Sequence, residues 1–216
     1  MDLNKMIDHT NLKPDAARAD IERLCDEALE HGFYSVCVNS SWTSTCAARL
    51  VGTGVRVATC VGFPLGAMST TAKAFEAERA VADGTDELDM VIPVGRLVSG
   101  EDDAVREDVA AVVRAADGRP VKAILECCLL TPDQIVRGCE LCVSAGAAFV
   151  KTSTGFSRGG ATLDDVRLMR KTVGDACGVK AAGGIHTRSE ALAFVEAGAT
   201  RLGTSSGIVI ARGAQE

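Results

Sequence analysis

Short apolar runs and amphipathic stretches alternate eight times along this chain, with no linker or shift in composition between repeats. No other feature narrows the fold as much. A run of four to eight β-favouring residues reads as a buried strand. A following stretch with apolar residues at helical spacing reads as the crossover that a parallel neighbour requires. Eight such βα units predict an α/β fold, a (β/α)8 TIM barrel formed as a single domain over residues 1–216. A doubly wound open sheet is the competing arrangement. The chain is shorter than the ~250 residues usual for a barrel, which short loops would explain.

The strands are read at Met6–Thr10, Tyr34–Asn39, Val55–Gly62, Glu87–Ile92 and Val121–Glu126, then in the runs ending near Lys151 and Lys180, and finally at Thr200–Gly203. Pro14 is read as opening the first helix and Gly32 as ending it. Ser40 or Ser41 is read as capping the second, which runs to about Leu50. Helices follow at about 69–83 and 102–116, with Pro93 and Gly95 breaking the chain before the latter. Thr131-Pro132 gives an N-cap followed by proline at the first helical position. Thr162 caps the next helix, and Thr187-x-x-Glu190 forms a capping box. Residues Arg212 to Glu216 read as frayed.

Bulk properties exclude several classes. The longest apolar runs are too short to span a membrane, and no apolar segment follows Met1-Asp2-Leu3-Asn4-Lys5 to make a signal peptide. A net charge of −6 without a basic tract argues against nucleic acid as a partner. Nine cysteines without an export signal point to a reducing cytoplasm. Cys139-x-x-Cys142 lies within a helical pattern without a second pair, and three scattered histidines give no metal-ligand spacing, so no metal is expected. His31 and His186 read as bystanders. Cys127-Cys128 has no functional explanation at this level.

Lysine is scarce, 7 against 16 arginines, yet Lys122, Lys151 and Lys180 all stand in strand-like runs. Lysine differs from arginine in being able to lose its proton when buried. Helices cover the outer face of a barrel strand, so Lys151, Lys180 and Asp89 should point inward, toward the C-terminal mouth where catalytic groups sit. A plain structural ion pair would need only one lysine. A second ammonium favours the neutral form of its neighbour, and a neutral amine adds to a carbonyl to form a Schiff base. Lys151 is therefore read as the nucleophile and Lys180 as its charged tuner. Asp89 would hold Lys180 and help move protons, with water as a relay.

The loops suggest the ligand. Gly183-Gly184 follows the seventh strand, and Gly203-Thr204-Ser205-Ser206-Gly207 follows the eighth. Barrels frequently bind phosphate at these two places. Thr154-Gly155 would close the same site from the sixth strand. Asn39 is read as a donor to a substrate hydroxyl or as the start of the next helix. Lys122 and Glu126 read as a buried pair inside the barrel, and Asp8 as a supporting residue.

The chain resembles the deoxyribose-phosphate aldolase family, class I aldolases on a (β/α)8 barrel. The likeness is carried by Ile7-Asp8-His9-Thr10-Asn11-Leu12, Val36-Cys37-Val38-Asn39, residues 60–66, Glu87-Leu88-Asp89-Met90-Val91, residues 122–126, residues 149–156, residues 179–185 and residues 201–206. It implies reversible cleavage of 2-deoxy-D-ribose 5-phosphate to D-glyceraldehyde 3-phosphate and acetaldehyde, with no metal or organic cofactor and with assembly as a dimer or tetramer. By motif position, Lys151 matches the Schiff-base lysine, and Asp89 and Lys180 match its proton-handling partners. The 183–184 and 205–206 loops match the phosphate region. Some members end in a tail whose last tyrosine assists proton transfer at the substrate methyl carbon. This sequence reads Gln215-Glu216 there and has only Tyr34, so greater dependence on water and a modest rate cost are expected. Another phosphosugar Schiff-base aldolase, a transaldolase-like barrel and a non-catalytic phosphosugar-binding barrel are the alternatives.

Overall fold

Each apolar run forms a parallel strand, and the eight strands close on themselves in chain order. They are β1 Ile7–Asn11, β2 Ser35–Val38, β3 Arg56–Val61, β4 Glu87–Val91, β5 Val121–Ile124, β6 Phe149–Lys151, β7 Gly178–Ala182 and β8 Arg201–Thr204. The helices are α1 Arg18–His31, α2 Thr43–Leu50, α3 Thr70–Ala82, α4 Val94–Val98, α5 Asp102–Ala115, α6 Pro132–Ser144, α7 Leu163–Val173, α8 Arg188–Glu196 and α9 Gly207–Arg212. The computed structural model describes residues 2–213. The expectations for the chain end at 214–216, including the tyrosine-ended tail, lie outside the described residues. Tyr34 itself donates to Glu87 at 3.0 Å and carries the Arg201 guanidinium over its ring.

Strand side chains alternate between two environments, as the pleat requires. Outward residues such as Leu88, Met90, Ala123, Val150, Val179 and Leu202 join helix residues in one large apolar shell. Inside the barrel the apolar filling is small, with Leu12, Cys37, Ala58 and Cys60 forming a second cluster. The remaining inward positions on several strands carry charge: Asp8, Glu87, Asp89, Lys122, Lys151, Lys180 and Arg201 are all buried.

Local signals explain most helix ends and correct others. Gly32 takes the left-handed conformation (φ 63°) and stops α1. Thr131, Thr162 and Thr187 cap α6, α7 and α8, and Gln134 and Glu190 complete capping boxes. Pro14, however, does not open α1. The helix starts at Arg18, because the Asp20 carboxylate accepts from the Ala17 N–H at 2.9 Å. Neither Ser40 nor Ser41 caps α2. Residues 40–42 form a 3-10 turn, and the Ser40 hydroxyl donates instead to Glu76 on α3 at 2.7 Å. Pro93 does not only break the chain, since the short α4 follows it. The fifth strand ends at Ile124 rather than Glu126, because Glu126 turns into the left-handed region (φ 58°).

Candidate active site

The register of the closed sheet sets the site. Lys151 lies beside Lys180 across β6 and β7, and Asp89 lies beside Lys122 across β4 and β5. Asp89 reaches all three lysines, its neighbour Lys122 and, across the barrel interior, Lys151 and Lys180. Its Oδ2 accepts from Lys151 Nζ and Lys180 Nζ, each at 2.7 Å, and its Oδ1 accepts from Lys122 Nζ at 2.7 Å. Lys180 also donates to Asp8 Oδ2 at 2.5 Å, and Lys122 contacts Glu87 at 2.7 Å. Arg201 completes the network from below, donating to Asp8 and Glu87 at 2.9 Å each. Asp8 further accepts from the Ser35 hydroxyl at 2.7 Å. Charges alternate from the base of the barrel to its mouth, through Arg201, Asp8, Lys180, Asp89 and Lys151.

The burial of these groups is offset by their mutual attraction. Burial alone would push the Asp89 carboxyl up. Lys122, Lys151 and Lys180 outweigh that and hold it well below the usual carboxylate range. Burial alone would push the Lys180 ammonium down, yet Asp8 and Asp89 raise it well above the ordinary lysine value. Lys122 is raised by the same balance, burial opposing and Asp89 and Asp8 prevailing. Lys180 and Lys122 thus stay charged at neutral pH.

Above the network lies a cavity of about 460 Å³. Lys151 is the one member of the lysine trio that lines it. The walls include Thr154, Gly155 and Phe156 after β6, Gly183 and Gly184 after β7, and Gly203 and Ser205 from β8 and its loop. Backbone contacts at glycines bring the loops after β6 and β7 together. Ala161 N–H donates to Gly183 O at 3.0 Å, and a Cβ on Gly160 would come within 2.4 Å of that same oxygen. The N–H groups of Gly184 and Ser205 take no protein acceptor among the described residues, which leaves them free to meet an anion.

Several expected residues stand elsewhere. Asn39 does not line the cavity: its Nδ2 donates to Leu12 O at 3.2 Å, so it braces the loop after β1. Ser206 sits just behind the lining, with its Oγ 3.3 Å from His186 Nδ1. His186, read as a bystander, lines the cavity. Lys122 and Glu126 do not pair. Lys122 points down the barrel to Asp89 and Glu87, whereas Glu126 lies beyond the strand end and holds Thr154. Gly203, read as part of a phosphate loop, lies inside β8. A Cβ there would come within 2.9 Å of Lys180 Cε, so its missing side chain gives Lys180 room.

Sequence reasoning missed Arg201 as a member of the charged column and Ser35 as a hydroxyl donor to it. It also missed the cavity wall supplied by α1, where Glu27 accepts from or donates to His9 Nε2 at 2.7 Å according to which of the two carries the proton. Strand alternation could have found Arg201, because Gly203, two residues on, faces inward as well.

The described helices contain none long and apolar enough to cross a membrane. The family model described as DeoC/LacD family aldolase matches residues 3–214. A deoxyribose-phosphate aldolase of Streptococcus uberis is 55% identical over 213 residues, 99% of this chain and 97% of that protein. One from a Geobacillus species is 57% identical over 210 residues, 97% of this chain and 94% of that protein. The tetrameric deoxyribose phosphate aldolase of Aeropyrum pernix superposes with a TM-score of 0.91 at 32% identity, covering 97% of this chain and 89% of that one. With its barrel, its buried lysine trio and a family match over nearly its whole length, the chain belongs to the DeoC/LacD family of aldolases.

Proposed function

We propose that this chain is a class I aldolase that reversibly cleaves 2-deoxy-D-ribose 5-phosphate to D-glyceraldehyde 3-phosphate and acetaldehyde. The observation that carries this reading is the single Asp89 oxygen shared by Lys151 and Lys180, with only Lys151 open to the cavity. The buried network holds four cations, Lys122, Lys151, Lys180 and Arg201, against three carboxylates, Asp8, Glu87 and Asp89. Its charge balances when one amine is neutral, and the amine at the cavity is the one that can react.

The Lys151 nitrogen adds to the C1 aldehyde, and loss of water leaves a protonated imine. Electrons of the C2–C3 bond flow into that imine as the C3 hydroxyl gives up its proton. This releases glyceraldehyde 3-phosphate and leaves an enamine. Protonation at C2 and hydrolysis then release acetaldehyde and restore the amine. Asp89 and the Lys180 ammonium, linked to the cavity by water, store and return the protons. The Gly184 and Ser205 amides, with His186 nearby, take the phosphate. The similarity to deoxyribose-phosphate aldolases of Streptococcus uberis and a Geobacillus species supports this substrate. The tetramer from Aeropyrum pernix supports assembly as a homo-oligomer. Nine free thiols support a reducing cytoplasm.

Borohydride trapping with acetaldehyde, followed by peptide mass mapping, tests the assignment. An ethyl adduct on Lys151 is expected. No adduct, or one confined to Lys122, rejects it.

A further inference from the structure

Of the five buried carboxylates, Glu126 alone has no lysine or arginine partner among the described residues. It is 3% exposed, and its backbone stands in the left-handed region (φ 58°, ψ 60°), a conformation that costs a non-glycine residue free energy. A buried charge on a strained backbone persists only where its surroundings hold it. The Glu126 oxygens gather donors from the loop after β6. Thr154 N–H lies 3.3 Å from Oε1, the Thr154 hydroxyl donates to Oε2, and the Cys128 thiol lies 3.9 Å from Oε1. Thr154 Oγ1 in turn accepts from Phe156 N–H at 3.0 Å.

This relay ends on an aromatic wall. Phe156 meets Phe63 edge to face, with centroids 5.2 Å apart. Phe156 lines both the main cavity and a smaller one of about 110 Å³, which Glu126 also lines. The loop thus separates two adjoining spaces, three to five residues beyond Lys151. An acceptor-only carboxylate suits this task, because it satisfies three donors at once.

We infer that Glu126 is a positioning residue for the reaction: acting through Thr154, it sets the Phe156 wall and so governs how tightly the sugar phosphate is held, without touching the amine chemistry. The inference rests on the aldolase reading above. Two substitutions separate the carboxylate from the backbone. Glu126→Gly keeps the left-handed turn without strain and removes the carboxylate. Glu126→Gln keeps an acceptor oxygen for the Thr154 hydroxyl. For cleavage of 2-deoxyribose 5-phosphate, Glu126→Gly should raise KM about tenfold to a hundredfold, the size of a lost hydrogen bond to a charged group, with kcat within about threefold. Glu126→Gln should stay within about threefold on both. Acetaldehyde trapping on Lys151 by borohydride should proceed at the wild-type rate in both.

A parallel fall in kcat and trapping at unchanged KM overturns the inference, as does a Glu126→Gly enzyme with wild-type constants. If Glu126→Gly does not fold, Thr154→Val cuts the same relay and must give the same rise in KM; an unchanged KM there overturns it equally. Failure of the aldolase reading is seen separately, in wild-type protein that neither cleaves the sugar phosphate nor traps acetaldehyde.

Discussion

Lys151 and Lys180 are joined through one atom, Asp89 Oδ2, which lies 2.7 Å from each lysine nitrogen. The two lysines are direct neighbours in the sheet register, so they cannot separate without breaking the barrel. Their difference lies in the second partner. Lys180 has Asp8 as well and is fully buried, whereas Lys151 holds only Asp89 and opens on the cavity. In the proposed mechanism, Asp8 thus distinguishes the fixed cation from the amine that reacts.

Replacing Lys180 with methionine therefore tests the division of roles. The Lys151 amine stays in place, but its cationic neighbour and the associated proton store are lost. Cleavage of 2-deoxyribose 5-phosphate should fall about 10²- to 10⁴-fold in kcat, the range for a lost acid–base group. Stability should fall by about 3–5 kcal/mol, because Asp8 and Asp89 each lose a buried partner. Steady-state kinetics and urea unfolding measure the two effects. Wild-type kcat in a folded variant would remove Lys180 from the mechanism.

Gly203 gives a subtler test. An added Cβ would sit 2.9 Å from Lys180 Cε and 3.1 Å from Ala182 Cβ. Gly203→Ala should displace Lys180 from Asp89 without deleting any charge. Misplacement of about 1 Å can cost about a hundredfold in rate, so kcat should drop by roughly that factor. KM should change little if Ser205 and Gly184 carry the phosphate. A rise in KM at constant kcat would assign Gly203 to phosphate binding alone.

The readable parts of this molecule were the local ones. Capping threonines, strand runs and lysines stranded among apolar residues each announce themselves within a few positions, as Thr187-x-x-Glu190 and Phe149-Val150-Lys151 do. The pairing of those charges did not, because it depends on closure of the sheet. Arg201 reaches Asp8 across 193 positions and Lys180 reaches it across 172. Lys122 was placed with Glu126 because both lie on one run, but a left-handed turn at Glu126 carries that carboxylate away. The buried Lys73–Asp108 pair, 2.7 Å apart, was invisible for a related reason. Each residue follows an ordinary amphipathic pattern, and only the packing of α3 on α5 brings them together.

Acid should unfold this protein by protonating the barrel interior. Burial would raise Asp8, Glu87 and Asp89, but their lysine and arginine partners prevail, and all three titrate below their ordinary values of 3.8, 4.5 and 3.8. Where a folded-state value is depressed, the unfolded chain binds more protons at low pH, so stability is fully present above the unfolded value and falls as pH drops through the folded one. The loss should begin near 4.5 with Glu87 and deepen below 3.8 as Asp8 and Asp89 follow. Urea midpoints measured from pH 7 down to about 2.5 should stay level at first and then decline steeply. Glu87→Gln should remove the earliest part of that decline, although its overall stability will be lower because Lys122 and Arg201 lose an anionic partner. A stability profile that stays flat below pH 4 would contradict the ionised network on which both the fold and the proposed amine chemistry depend.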